Sequence, residues 1–168
     1  MVETGMSDDI KLRFDTTGVD WAVAANVLKR APLSIREPDK IQATFENSNL
    51  VCFAWFNNEL VGMARALSDG VYQSVIYDLC ILPEHQGKHL GSRIMKALTK
   101  RLNTPSVVLW SVPGKEKFYA RLGFNPMLTA MALVKDPDYE GLPVLGLGIM
   151  RFFGFFQVQP CRAIARHG

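Results

Sequence analysis

The sequence predicts an α/β (α+β) fold in which a mixed, mostly antiparallel sheet is flanked by helices. Two segments with helical periodicity come first, at residues 20–30 and 38–47. Three extended apolar segments follow at residues 50–56, 60–67 and 71–82, separated by short turns, which is the pattern of an antiparallel meander. A strong helix, a short strand, a short helix and a last strand complete the predicted order.

The composition favours a folded protein that does not bind nucleic acid. Of the 168 residues, 48% are hydrophobic and 21% are charged, which is the average of globular chains. The net charge of +3 is spread along the chain without a block of like charges, so it does not indicate a nucleic-acid tail. Residues 1–9 lack the basic start and apolar stretch of a signal peptide, and the three cysteines have no CxxC spacing. We therefore expect a reducing, cytoplasmic location.

The first two helices carry start signals. Asp20 is placed to cap the first helix, in which Val27 belongs to the apolar face. The second helix opens with Pro38, and Ile41 and Phe45 lie four residues apart on its apolar face.

Turn residues and a change of period define the second half. Turns between the strands are predicted by the pair Asn57-Asn58 and by the triplet Ser68-Asp69-Gly70. Apolar residues recur every fourth position over 87–102 and predict the clearest helix of the chain. A short strand over 106–110, a short helix over 115–122 and a final strand over 127–135 are predicted after it.

The junction between the third strand and the strong helix is typical of an anion site. The strand stops at Pro83, and a glycine-containing turn leads at once into the helix. The first turn of a helix has amide N–H groups without helical partners, and its dipole adds positive charge, so phosphate binds well there. Lys88 would reinforce this attraction. The alternative is an ordinary strand-turn-helix link in which glycine only relieves the turn.

The string Gln86-Gly87-Lys88-His89-Leu90-Gly91 resembles the acetyl-CoA signature of the GCN5-related N-acetyltransferase (GNAT) family. That signature runs Gln or Arg, two residues, Gly, any residue, then Gly or Ala. Gln86 and Gly91 match it, while His89 stands where the family usually has glycine. The resemblance covers roughly residues 50–135. It implies a GNAT-like sheet with splayed central strands and acetyl-CoA as the co-substrate, with no metal.

The resemblance also implies which residues bind acetyl-CoA. In the family, the backbone of the strand before the loop pairs with the pantetheine arm, and the loop holds the pyrophosphate. Carried over by position, the cofactor-binding residues are Leu79, Cys80, Ile81, Gln86, Gly87, Lys88, His89, Leu90, Gly91 and, from a later segment, Phe118.

Tyr119 is the candidate general acid. The stretch from Phe118 to Phe124 resembles the family segment in which a tyrosine before a Gly-Phe pair lies beside the thioester sulfur. A phenol can give a hydrogen bond or a proton to the departing thiolate. The alternative is that Tyr119 is a partly buried packing residue between its aromatic neighbours.

Asp78 is the candidate general base because it is the only carboxylate within residues 71–82. Strict alternation would put Asp78 on the face of Ile76 and Cys80, opposite Tyr77. A carboxylate in such apolar surroundings needs a cleft, a partner or a raised pKa. The structural alternative is an ion pair with Arg65 across the hairpin.

Asp69 and Tyr72 are further candidates, for binding the substrate. The surrounding run resembles stretches of small-molecule amine acetyltransferases, although Ser-Asp-Gly is first of all a turn signal. His85 and His89 are four apart and suggest a shared metal, but no cysteine or acidic residue with ligand spacing accompanies them, so we predict none.

The residues after Lys135 form an apolar, glycine-rich extension. We expect a catalytic domain over residues 1–135 and an extension over 136–168. Such apolar sequence seldom stays exposed, so it packs on its own core, forms a homodimer interface or lies on a membrane surface, in that order of expectation.

The function expected from these observations is direct acetyl transfer from acetyl-CoA to a small primary amine of the aralkylamine or polyamine type. Three aromatic residues, Trp55, Phe56 and Tyr72, favour an apolar amine. One alternative is acetylation of a protein N-terminus or lysine. Another is a non-catalytic acyl-CoA-binding module, which His89 and the absence of the family's usual upstream asparagine favour.

Overall fold

A mixed sheet forms the centre of the domain in the computed structural model, which describes residues 10–128, 130–133 and 135. In this part of the chain the sheet has five strands in the order β1-β2-β3-β4-β5. The first four strands pair antiparallel, and β5 pairs parallel to β4, which confirms the predicted fold class. The strands are β1 (Ile10–Arg13), β2 (Leu50–Phe56), β3 (Glu59–Ser68), β4 (Gln73–Ile81) and β5 (Ser106–Leu109).

Helices cover the two faces of this sheet. They are α1 (Trp21–Arg30), α2 (Pro38–Glu46), α3 (Leu90–Arg101) and α4 (Glu116–Ala120), with a short 3-10 turn at Pro83–His85. A Cβ atom at Gly62 of β3 would lie 3.5 Å from Ile94, so Gly62 faces α3. Because strand side chains alternate, Arg65 of β3 points to the opposite face, which the segment after α1 covers.

The start signals of the first two helices are confirmed. Asp20 caps α1, since its Oδ1 accepts hydrogen bonds from the amides of Ala22 at 2.9 Å and Val23 at 3.2 Å. Pro38 is the first residue of α2, where a missing N–H costs nothing. The apolar faces of α1, α2 and α3 bury Val27, Leu28, Ile41, Phe45, Ile94 and Leu98 against the sheet.

Two strand predictions differ from the structure. The edge strand β1 was missed although its four residues alternate between apolar and basic side chains, because so short a run is the least that can indicate a strand. The final strand predicted over 127–135 is wrong for the described residues of that segment, none of which pairs in a sheet. An apolar run marks burial potential, but a strand also requires a neighbouring backbone to pair with.

The chain divides by its internal contacts into two units, Met1–Pro126 and Met127–Gly168. Every helix and strand named above belongs to the first unit. The predicted extension over 136–168 lies outside the described residues, so its boundary and its three expected placements stay predictions. Among the residues that are described, no helix has the length and apolarity that a membrane crossing needs.

Candidate functional site

The sheet opens halfway along β4. The parallel ladder between β4 and β5 runs from Gln73 opposite Ser106 to Ile76 opposite Leu109 and then ends, while β4 continues to Ile81. The two strands therefore part beside residues 77–81. This is the splay that the family resemblance implied, and it lies along the strand segment that contains Leu79, Cys80 and Ile81.

A β-bulge lies on the other edge of the same segment. Arg65 pairs with Tyr77 and Met63 pairs with Cys80, so Asp78 and Leu79 together oppose the single residue between Met63 and Arg65. Asp78 takes a left-handed conformation with φ of 55°. The bulge shifts the alternation by one residue and brings Tyr77 and Cys80 to the same face. The prediction that Asp78 shares a face with Ile76 and Cys80 is therefore wrong.

Asp78 lies between two arginines. Nε of Arg65 donates to Oδ2 of Asp78 at 2.6 Å, and Nη1 and Nη2 of Arg36 approach Oδ2 at 3.1 Å and Oδ1 at 3.0 Å. The Asp78 side chain is only 5% exposed. The ion pair with Arg65, which the sequence left open, is thus confirmed. Arg36 was missed because a loop residue 42 positions away gives no pattern that a sequence reading can use.

The segment that joins α1 to α2 is tied to the sheet region at two points. Near its start, Nη2 of Arg30 donates to Glu84 in the 3-10 turn, at 2.9 Å to Oε1 and 3.1 Å to Oε2. Near its end, Arg36 bonds to Asp78. The first pair is exposed and screened by solvent, so it stabilises the protein little, whereas the second is largely buried.

A stack of side chains lies at the point where the strands part. The Arg65 guanidinium lies over the ring of Tyr77, 4.8 Å from its centroid. The Trp110 ring stacks on Tyr77 with centroids 5.5 Å apart and planes at 22°. Cation–π and stacked aromatic contacts of this kind hold rings in fixed orientations. Sequence reasoning missed this stack because Trp110 follows β5 and meets β4 only through the sheet.

The loop before α3 has the backbone of an anion site. Gly87 and His89 adopt left-handed conformations with φ of 75° and 61°. The helix starts at Leu90 rather than at Gly87 as predicted, because left-handed residues cannot continue a right-handed helix. Nε2 of Gln86 donates to the carbonyl of Ile81 at 2.8 Å and so closes the loop against the end of β4.

Gly91 lies where three elements meet. A Cβ atom at this position would come within 3.2 Å of Cδ1 of Ile81 and within 3.2 Å of Cζ of Phe118. Such a distance is tighter than ordinary packing, so the absence of a side chain lets α3 approach both β4 and α4. Gly91 thus has a packing reason beside the predicted approach to a pyrophosphate, and it places Phe118 next to the loop.

Tyr119 lies on α4 within an aromatic group. Its ring packs edge-on against Phe118 at 4.9 Å and Phe124 at 6.1 Å. Burial raises the pKa of the phenol above its usual value, so Tyr119 keeps its proton at neutral pH and can donate it. Both the packing alternative and the general-acid prediction are compatible with these contacts.

Cys80 is a buried thiol at the opening. Its side chain is buried on the face of Met63, and this burial, together with the charge of Asp78, raises the pKa of the Cys80 thiol to about 12. A thiol with this pKa is almost entirely neutral at physiological pH.

Asp69 and Tyr72 lie away from these residues. Oδ1 of Asp69 accepts hydrogen bonds from the amides of Val71, Tyr72 and Gln73 at 2.8 to 3.0 Å, which lowers the Asp69 pKa and confirms the predicted turn. The turn precedes β4, whereas the 86–91 loop follows its other end, about 30 Å away for a strand of nine residues. The structure does not bring the two regions together, and the substrate contacts stay predictions.

The other two aromatic candidates have different neighbours from the stack. Trp55 and Phe56 belong to β2, where Arg13 lies 5.6 Å over the Trp55 ring and His85 lies 5.3 Å from the Phe56 ring. The aromatic residues at the opening are instead Tyr77 and Trp110.

These features together define a class of protein. An opened strand edge, a glycine-containing loop and the N-terminus of a long helix follow one another, which suits an extended co-substrate with a phosphate-bearing end. A protonated tyrosine on the next helix suits the transfer of a group from that co-substrate. The family model described as "Acetyltransferase (GNAT) domain" matches residues 18–131, and the chain belongs to this family.

Relatives of known name agree with this assignment. The chain is 28% identical over 123 residues to serotonin N-acetyltransferase 2, chloroplastic, of Oryza sativa subsp. japonica, covering 67% of this chain and 60% of the rice protein. It is 32% identical over 106 residues to the uncharacterized N-acetyltransferase ycf52 of Porphyra purpurea, covering 59% and 56%. The chain thus spans about three fifths of the length of these relatives.

A solved structure has the same fold. The GNAT family acetyltransferase of Streptococcus pneumoniae TIGR4 superimposes with a TM-score of 0.63 at 18% identity, covering 76% of this chain and 99% of that one.

His89→Gly should stabilise the protein. A left-handed residue with a side chain costs about 1 kcal/mol relative to glycine, and glycine removes this strain. Glycine also gives the unfolded chain more freedom, so we expect the free energy of unfolding to rise by somewhat less than about 1 kcal/mol. Urea unfolding measures this change in the free energy of unfolding. Lys88→Gly is the matched control, because Lys88 has no left-handed strain to relieve; this variant should be unchanged or less stable. Equal effects of the two variants would contradict the account of His89.

Proposed function

We propose that the chain transfers the acetyl group of acetyl-CoA directly to the primary amine of a small molecule, of the aralkylamine or polyamine type. The observation that carries this proposal is the parting of β4 from β5 directly before the loop and helix that suit a pyrophosphate. A co-substrate that lies along residues 77–81 would have its reactive end at an opening reachable from both faces of the sheet. The serotonin in the name of the rice relative supports an amine of the aralkyl type.

The residues at the opening fit acetyl-CoA. The first turn of α3 offers amide N–H groups without helical partners, and Lys88 is exposed next to them. The proposed pyrophosphate residues are those of the 86–91 loop, and Leu79, Cys80 and Ile81 would pair with the pantetheine arm. When bound, acetyl-CoA supplies a thioester whose carbonyl carbon is open to attack.

Tyr119 assists the departure of the thiolate in this proposal. The amine nitrogen forms a bond to the acetyl carbon, and the carbon–sulfur bond breaks with its electron pair on sulfur. A free thiol has a pKa near 8.5 and a phenol a pKa near 10, so full proton transfer to the thiolate is uphill on these values. Tyr119 therefore acts first as a hydrogen-bond donor to the sulfur, and it regains from solvent any proton that the thiol product carries away.

Asp78 provides for the proton that the amine loses. An ionised carboxylate has about four acceptor positions, and the arginines occupy three of those of Asp78. The remaining position on Oδ1 can hold a water molecule. We propose that this water, oriented by Asp78, takes the amine proton and passes it on to solvent.

The proposal retains the cytoplasmic location expected from the sequence. The word "chloroplastic" in the name of the rice relative makes the location a matter for direct test. Microscopy of a fluorescent fusion to the full-length protein in its own cells would distinguish a cytoplasmic from a chloroplast location.

Acetyl-CoA should stabilise the folded protein. A ligand that binds only the native state at 100 times its Kd adds about 2.7 kcal/mol to the free energy of unfolding. Thermal melts with and without saturating acetyl-CoA measure this. Lys88→Glu should reduce the shift, because it puts a negative charge beside the expected pyrophosphate, whereas Lys96→Glu, further along α3, should not.

Gly91→Glu should remove the acetyl-CoA shift, although its side chain also collides with Ile81 and Phe118. Its unliganded melt shows whether the variant still folds. A melt of the wild-type protein that acetyl-CoA leaves unchanged would refute the co-substrate assignment.

Tyr119→Phe should lower kcat about ten- to a thousandfold and leave the acetyl-CoA shift of the melt intact, because only the hydroxyl is lost. Stopped assays of acetylated product over a series of amines measure the rate. An unchanged kcat would show that Tyr119 only packs against its aromatic neighbours.

Asp78→Asn should lower kcat at neutral pH, because an amide cannot orient a water as a base does. Arg36→Ala is the comparison, since it keeps the carboxylate and its bond to Arg65. If Asp78→Asn only lowers the free energy of unfolding while the folded fraction keeps the wild-type kcat, Asp78 is structural.

A further inference from the structure

One face of an aromatic ring is open where the two central strands part. Trp110 follows β5, and 46% of its surface is exposed although one side of its ring stacks on Tyr77. Tyr77 is fixed from its other side by the Arg65 guanidinium. A large apolar ring that is held in place and still half exposed presents a ready surface on which a second planar group can stack.

This ring lies on the face of the sheet away from α3. Tyr77 pairs with Arg65, and Arg65 bonds to Asp78 together with Arg36 from the segment between α1 and α2. Gly62 and its partner Ile81, by contrast, face α3. If acetyl-CoA binds from the α3 side, as in the proposed function on which this inference rests, the amine reaches the opening from the Trp110 side.

The charges on that side discriminate among amines. Two guanidinium groups share one carboxylate within hydrogen-bond distance, so the cluster of Arg36, Arg65 and Asp78 has a formal charge of +1. An amine must lose its proton to attack, and nearby positive charge favours the neutral form. A polyamine retains further positive charges that this cluster repels, whereas an amine with a single basic amino group does not.

We propose that Trp110 is the acceptor-binding surface and that the substrate is an aromatic monoamine, whose ring stacks on the open face of the indole. Tyr77 and Arg65 hold the indole at the opening. The charge cluster excludes polyamines from the same position, so of the two amine types compatible with the proposed function the structure assigns the aromatic one.

Steady-state kinetics with tryptamine and spermidine test the assignment. The wild-type protein should have a kcat/KM for tryptamine at least about tenfold above that for spermidine. Trp110→Ala should raise the KM for tryptamine on the order of three- to tenfold and leave the acetyl-CoA shift of the melt unchanged, which also shows that the variant folds. Trp110→Phe should restore most of the affinity. Val71→Ala, an exposed apolar residue before the other end of β4, is the control and should have no effect.

Equal or better use of spermidine, or a KM for tryptamine that Trp110→Ala leaves unchanged, would overturn the inference. A binding measurement separates this failure from failure of the proposed function. Phenethylamine should change the tryptophan fluorescence of the wild-type protein but not that of Trp110→Phe. If that change occurs while neither amine is acetylated, the aromatic site is supported and the proposed function is refuted. The same change in both proteins refutes the site.

Discussion

The bond of Asp78 to two arginines is the interaction on which the rest of the site depends. The carboxylate lies at a bulge with left-handed backbone, a conformation that costs about 1 kcal/mol or more unless its surroundings compensate. Arg65 and Arg36 supply this compensation from the neighbouring strand and from the segment after α1. The bulge bends β4 at the level where its ladder with β5 ends, so the ion cluster and the opening of the sheet are parts of one arrangement.

The site has two sides that are built from different parts of the chain. On the α3 side, Gly91 packs so closely that a Cβ atom there would lie 3.2 Å from both Ile81 and Phe118. On the other side, the stack of Arg65, Tyr77 and Trp110 is ordered by ring contacts and leaves one ring face open. Tight packing suits a co-substrate that is always the same, and an open aromatic surface suits an acceptor that can vary between relatives.

The sequence predicted the features that depend on neighbouring residues in the chain, and it missed the contacts between residues that are distant in the chain. The cap by Asp20 and the turn at Asp69 follow from side chains that bond within four residues of themselves, and the proline start of α2 follows from the fixed φ of that residue. Arg36 and Trp110 reach their partners only after the sheet has formed, and no periodicity marks them. The alternation of β4 failed for a related reason, because one extra residue in a bulge reverses every side chain beyond it. His89 lay between these cases: its place in the motif was visible, but its left-handed backbone was not.

The neutral state of Cys80 has a consequence for the order of events in the reaction. A thiolate beside a thioester would exchange with it and take the acetyl group onto the protein. With a pKa of about 12, only about one Cys80 side chain in 10⁵ is ionised at pH 7, so this exchange has almost no nucleophile. Cys80 would then offer the acetyl group no resting place, which favours a direct transfer in which acetyl-CoA and the amine are bound at the same time.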